Sequence, residues 1–175
     1  MRVFQDVFTN DEMMSELFKF ELAYNDVAMK VRASYKSKES IGNIDIGCGN
    51  AFGGGDEDGG AGGEMPAEKV LDVQYNFNLV ETPYSKADFM TYIKTFMKNL
   101  KTWLEANGKS DRVAEFQKGA TEFVKFVVSK FDEFTFYSGS SENVDGGIAL
   151  SYWENDSDAG PVFFFFRDAL KEVKY

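Results

Sequence analysis

Apolar and polar positions alternate in two stretches near the start of the chain. Phe18, Phe20 and Leu22 flank Lys19 and Glu21, and Val27, Met29, Val31 and Ala33 flank Lys30 and Arg32. A period of two predicts strands with one buried face each. Asn25-Asp26 between them tolerates the left-handed backbone of a tight turn, so the pair reads as an antiparallel hairpin. The alternation returns at Leu71, Val73, Tyr75, Phe77 and Leu79, against Asp72, Gln74, Asn76 and Asn78. It predicts a further strand over 70–79, closed by Pro83.

The period then lengthens. Phe89, Ile93, Phe96, Met97, Leu100 and Leu104 follow at helical spacing and form one apolar stripe. Ser85 with Asp88 three residues on is the capping signal that opens this helix, and Asn107-Gly108 ends it. Ser110 is the expected cap of a second helix carrying Val113, Phe116, Ala120, Phe123, Val127 and Phe131. A short link makes the two an antiparallel helical hairpin over 84–131. Strands resume at Phe134–Tyr137, Ile148–Trp153 and Val162–Arg167. Strands, one helical hairpin and more strands make an α+β chain.

Residues 37–68 break the pattern. Ten of the sixteen glycines fall between Gly42 and Gly63, with Asp56-Glu57-Asp58 in their midst. Phe52 is the one large apolar side chain between Cys48 and Met65. Such a run buries too little surface to offset its ordering entropy, so a flexible, Gly-rich acidic loop within a single domain of 1–175 is expected.

Composition narrows the chemistry. With 43% apolar and 16% aromatic residues, a chain of 175 can build its core without disulfides or metal. A net charge of −10 disfavours nucleic acid and anionic membrane surfaces as partners. No apolar run reaches the 18 residues of a transmembrane helix, and Met1–Asp6 turns polar too early for a secretion signal. The lone Cys48 fits a reducing compartment, so the expected location is cytoplasmic. Zero histidines exclude a Ser-His-Asp or Cys-His centre and, with one cysteine, a Cys/His zinc site. No enzyme is expected.

Three motifs look chemical and fail. Gly108-Lys109-Ser110 resembles the end of a phosphate-binding loop, but the glycine required at 103 is Trp103 and helix, not strand, precedes it. Gly47-Cys48-Gly49 lacks the third glycine of a dinucleotide fingerprint, where Phe52 stands. No nucleotide cofactor is therefore expected. Asp56-x-Asp58 opens like an EF-hand, yet Ala61 and Ala67 occupy the sixth and twelfth positions. What is left is either a solvating acidic loop or a weak calcium site built from Asp56, Glu57 and Asp58.

Two surfaces survive. Thr82–Lys130 carries nine Lys and Arg against five Asp and Glu in an otherwise acidic chain. Lys94, Lys98 and Lys101 share one helix stripe opposite the apolar face, either a solvated face or a docking stripe for an acidic partner. Near the N-terminus, Thr9-Asn10-Asp11-Glu12 reads either as a capping box for a short helical turn or as an exposed carboxylate that meets a protein.

Several blocks resemble the translationally controlled tumour protein family. Asp11-Glu12-Met13-x-Ser15 is similar to its N-terminal block, and Tyr92-Ile93-Lys94-x-Phe96-Met97-Lys98-x-Leu100-Lys101 to its helical block. Phe136-Tyr137-x-Gly139, Asp145-Gly146-x-Ile148 and Phe165-Phe166-Arg167-Asp168-x-Leu170 follow in family order. The chain departs from the pattern at Ser140, where the family has Glu, and at Phe52-Gly53-Gly54 in the loop. The resemblance implies a β-tent, a twisted and mainly antiparallel β core with a projecting helical hairpin and a long mobile acidic loop. It implies a cytosolic regulatory protein that binds calcium weakly, associates with tubulin and microtubules, and is linked to growth, survival and apoptosis regulators. It also implies an alternative role as an exchange-factor-like partner of a Rheb-type small GTPase. Glu12, with Asp11 beside it, is the implied GTPase contact, and Lys94, Lys98 and Lys101 lie in the implied tubulin-associated region.

Overall fold

The computed structural model describes residues 1–37, 69–143 and 145–174. The predicted acidic loop of 37–68 therefore lies outside the described residues, save Ser37, which ends a strand. Eleven strands and three helices follow one another in chain order among those described. They begin with β1 (Arg2–Asp6), β2 (Glu12–Ser15), β3 (Phe20–Ala23), β4 (Ala28–Arg32) and β5 (Tyr35–Ser37). Next come β6 (Lys69–Leu71), α1 (Asp72–Phe77), β7 (Val80–Glu81), α2 (Lys86–Ala106) and α3 (Ser110–Ser129). The chain closes with β8 (Phe134–Ser138), β9 (Ile148–Tyr152), β10 (Val162–Phe166) and β11 (Leu170–Lys174). All strand pairs are antiparallel. The sheets run β11-β1-β2, β3-β4-β10-β9-β8-β7 and β5-β6.

The six-stranded sheet is the middle layer. β10 explains why: all five of its residues, Val162-Phe163-Phe164-Phe165-Phe166, are buried. Val162, Phe164 and Phe166 pack with Phe89, Phe96, Phe116 and Phe123 of the helical hairpin. Phe163 and Phe165 point the other way, among Phe4, Met13 and Met14 of the three-stranded sheet and Val73 of α1. An apolar run without alternation marks a strand covered on both faces.

The helices form for the reasons their sequence suggests. Ser85 accepts the Asp88 backbone N–H at 3.1 Å and satisfies one of the four orphan donors at the start of α2. Phe89, Ile93, Phe96, Leu100 and Leu104 are its buried face. Gly108, at φ 73°, makes the left-handed turn that ends it. Ser110 is not a cap: it is the first residue of α3, and Lys109 precedes the helix without a side-chain hydrogen bond. Phe116, Ala120, Phe123 and Val127 face inward, as expected, and α3 lies so close to the β3–β4 turn that Gly119 is needed there.

Two readings of the alternating pattern need correction. Val70–Leu79 is not one strand: only Lys69–Leu71 is extended, and Asp72–Phe77 is helical. Buried Asp72 turns the chain, its Oδ1 accepting the N–H groups of Ser34 and Val73 at 3.0 and 2.8 Å. Asn78 then ends α1 in the left-handed conformation, and Tyr75, within the helix, is exposed rather than buried. In the first hairpin, Val27, Met29, Val31 and Ala33 are fully buried as expected, but Phe20 and Leu22 are 37% and 42% exposed. β3 is the sheet's edge, and its apolar face extends past the covering layer. The turn between them is left-handed at Tyr24, Asn25 and Asp26.

Candidate functional site

The family-like blocks at Asp11-Glu12 and at Gly139–Gly146 are far apart in sequence and meet in space. β1 ends at Asp6, whose N–H donates to the Asp11 carbonyl at 2.8 Å while its carbonyl accepts from Asn10. Asn10 is left-handed at φ 65°, a conformation that Asn tolerates, and this closes a tight loop between β1 and β2. Thr9 is not the cap of a helical turn. Its hydroxyl donates to Asp6 Oδ2 at 2.7 Å and accepts the Asp11 N–H at 3.2 Å, and Glu12 opens a strand. A capping box needs helix after it, and here the pairing of β2 with β1 has taken those residues.

Opposite this loop runs the connection from β8 to β9. Asp11 Oδ2 accepts the Ser141 hydroxyl at 2.6 Å and the Ser141 N–H at 3.3 Å. Asp6 Oδ2 accepts the Gly147 N–H at 3.1 Å, and the Tyr92 hydroxyl of α2 donates to the Gly146 carbonyl at 2.6 Å. The two glycines of the signature have a steric reason. A Cβ at Gly139 would lie 2.5 Å from Asp11 Oδ2, and one at Gly146 would lie 2.7 Å from Asp6 Oδ2. Three elements are thus pinned by two carboxylates and a phenol.

Burial raises the Asp6 carboxyl above its ordinary value, against the opposing pull of the Thr9 hydroxyl and the Gly147 N–H; the nearby Asp11 charge adds to the rise. Among the described residues Asp6 Oδ1 is buried with no hydrogen-bond partner. Burial also pushes the Tyr92 phenol well up, so it is a donor at any physiological pH. These groups hold structure. Glu12 is exposed at the loop's outer rim, one residue beyond the pinned Asp11.

The second surface lies on α2. Lys94 and Lys98 are exposed and Lys101 is half-buried, on the side away from Ile93, Phe96 and Leu100. None of the three makes an ion pair among the described residues. By contrast, Arg112 is committed, gripping Asp168 through Nε and Nη2 at 2.8 and 3.0 Å and so tying α3 to the turn before β11. Among the described residues the α2 lysines are uncommitted positive charge on a helix held by its apolar face.

Among the described residues no group of three acidic or cysteine side chains converges as a metal cage. Asp56, Glu57 and Asp58 lie outside the described residues. No described helix is long and apolar enough to cross a membrane.

The family model of translationally controlled tumour protein matches residues 1–171. The chain belongs to that family. A homologue from Dictyostelium discoideum is 34% identical over 177 residues, covering 100% of both chains. One from Mycosarcoma maydis is 34% identical over 174 residues, 99% of each. Among solved structures, the Schizosaccharomyces pombe protein p23fyp is 28% identical and superposes with a TM-score of 0.77 over the whole of both chains. The Caenorhabditis elegans family structure, 24% identical with a TM-score of 0.63, shares the fold.

Membership gives the pinned loops their context. The signature residues Gly139 and Gly146 are where the β8–β9 connection touches the N-terminal loop. Sequence reasoning singled out Asp11 and Glu12 and read Thr9 as a helix cap, but missed Asp6 and Ser141. Asp6 reads locally as the end of an N-terminal strand and Ser141 as one polar loop residue among many, so neither stands out in the sequence. Ser140, the departure noted in the sequence, is exposed beside the pinned Ser141.

Proposed function

We propose that this family member is a protein-docking regulator that engages the acidic surface of tubulin through Lys94, Lys98 and Lys101. The observation that carries the reading is the absence of an ion pair at all three among the described residues, on a helix whose opposite face is locked into the core. A free ammonium on a held helix keeps its charge for a partner, and three at helical spacing match an anionic stretch without reordering the protein. The test is microtubule co-sedimentation of the full chain beside K94E/K98E/K101E. Loss of pelleting by a folded triple variant supports the reading, and unchanged pelleting rejects it.

A second reading rests on Glu12. It stands exposed where the hydrogen-bonded 6–11 loop enters β2, so a small GTPase of the Rheb type would meet a carboxylate carried on an already ordered backbone. Asp11 supports that contact from behind, its own carboxylate being spent on Ser141. Calcium binding through Asp56, Glu57 and Asp58 rests on the sequence of the acidic loop. It should be weak, roughly 10⁻⁴–10⁻³ M, because Ala61 and Ala67 stand where an EF-hand needs its Gly and its bidentate Glu.

A further inference from the structure

β3 ends the six-stranded sheet, and among the described residues no strand pairs with its outer side. The direction of its backbone groups follows from its neighbours. Ala33 donates to the Pro161 carbonyl and Arg167 donates to the Val27 carbonyl, at 2.9 and 2.8 Å. The odd-numbered residues of β4 therefore turn their backbone groups toward β10, and the even-numbered Ala28 and Lys30 turn theirs toward β3. Ala23 and Glu21 are the registered partners of Ala28 and Lys30. Phe20 and Leu22 are left with N–H and C=O directed outward, and these two also carry the exposed apolar side chains of the strand.

Soluble proteins guard such edges with charge, Pro or a bulge. Here Lys19 and Glu21 straddle Phe20, and their signs are opposite. The geometry points to a second copy of this chain as the occupant, added antiparallel across a two-fold axis through Phe20. In that register Phe20 and the partner's Phe20 exchange both backbone hydrogen bonds. Lys19 falls opposite the partner's Glu21, and Glu21 opposite the partner's Lys19, on one face of the new sheet. On the other face the partner's Leu22 comes toward Phe18, in the bend that precedes β3 and packed against Phe77 at 5.8 Å between ring centroids. Phe20 is itself held edge-on by Phe4 at 5.7 Å, so the strand meets its copy with its central ring in place. Moving the axis to Glu21 would set that carboxylate against itself, and like charges directly opposite disfavour a register.

A four-residue edge gives a small interface, so the dimer is a weak and reversible one. Sedimentation equilibrium of the full chain under reducing conditions, up to about 1 mM, reads it directly. The average mass should rise with concentration toward twice that of the chain. K19E or E21K alone should weaken association about tenfold, since each turns two attractive pairs into repulsive ones. The double variant K19E/E21K restores opposite signs across the axis and should recover association to within about threefold of the parent. A parent that stays monomeric throughout overturns the inference. So do single variants that associate like the parent, or a double variant that fails to recover.

Discussion

Replacing Gly139 with alanine puts the coupling between the two signature loops to a quantitative test. The added methyl would sit 2.5 Å from Asp11 Oδ2 and 2.9 Å from Asp11 Cβ, closer than a real Cβ tolerates. Gly139 is not left-handed, so no backbone strain enters and the cost is steric. The carboxylate must move, and it leaves the Ser141 hydroxyl and N–H it now accepts at 2.6 and 3.3 Å. Hydrogen bonds to a charged group contribute ~1.5–3 kcal/mol, and with Ser141 exposed the lower end applies. Overpacking adds about 1 kcal/mol, and stiffening the unfolded chain returns about 0.5 kcal/mol. The expected loss is about 2 kcal/mol in urea unfolding at pH 7. Asp11→Ala removes the colliding carboxylate, so in that background Gly139→Ala should cost less than about 1 kcal/mol. A cost below about 0.5 kcal/mol in the parent protein, or an equal cost in both backgrounds, would refute the coupling.

Three further expectations follow from the same geometry. Gly119→Ala would place a methyl on the Tyr24 carbonyl oxygen and 2.7 Å from Val27 Cγ2, so α3 must lift off the β3–β4 turn. The midpoint of urea unfolding should fall by the equivalent of about 2 kcal/mol despite the better helix propensity of alanine. Because burial raises the Asp6 carboxyl in the folded protein, its favourable contribution is complete at low pH and is lost as pH rises through that raised value. Comparing urea midpoints at pH 4 and 7, the parent should therefore lose stability relative to Asp6→Asn on going to pH 7; parallel profiles would show that Asp6 does not titrate in place. Glu12→Ala should cost less than about 1 kcal/mol, as an exposed side chain does, while weakening association with a Rheb-type GTPase; unchanged association would remove Glu12 as a contact.

Much of the fold was legible because it depends on long periodic stretches. The α2 stripe Phe89–Leu104, the Ser85 cap and the inner strand Val27–Ala33 all stand where the pattern puts them. Short polar–apolar alternation was less reliable. Val70–Leu79 alternates like a strand, but Asp72 satisfies the Ser34 and Val73 N–H groups and turns the chain into helix, a tertiary event no local pattern carries. Phe20 and Leu22 alternate correctly and still stand half out in solvent, because period fixes which face a residue shares and not whether a layer covers that face. β1 and β11 pair across nearly the whole chain, Arg2 with Lys174, which sequence separation hides. At the candidate site, Glu12 and the lysine stripe were visible as exposed charge. The Asp6–Gly147 and Asp11–Ser141 bonds were not, since both span about 130 residues or more.

The docking claim stands or falls on the salt dependence of tubulin association in the parent protein and in K94E/K98E/K101E. Each exposed charge pair is worth ~0.2–1 kcal/mol, so losing three weakens binding by about 0.6–3 kcal/mol, roughly 3- to 140-fold. Between about 0.01 and 0.15 M ionic strength the screening length shortens from about 30 to 8 Å. Parent binding should fall steeply across that range, while the triple variant binds weakly at both ends. Parent binding that ignores salt, or a folded triple variant that binds as the parent does, would contradict docking through the α2 lysines.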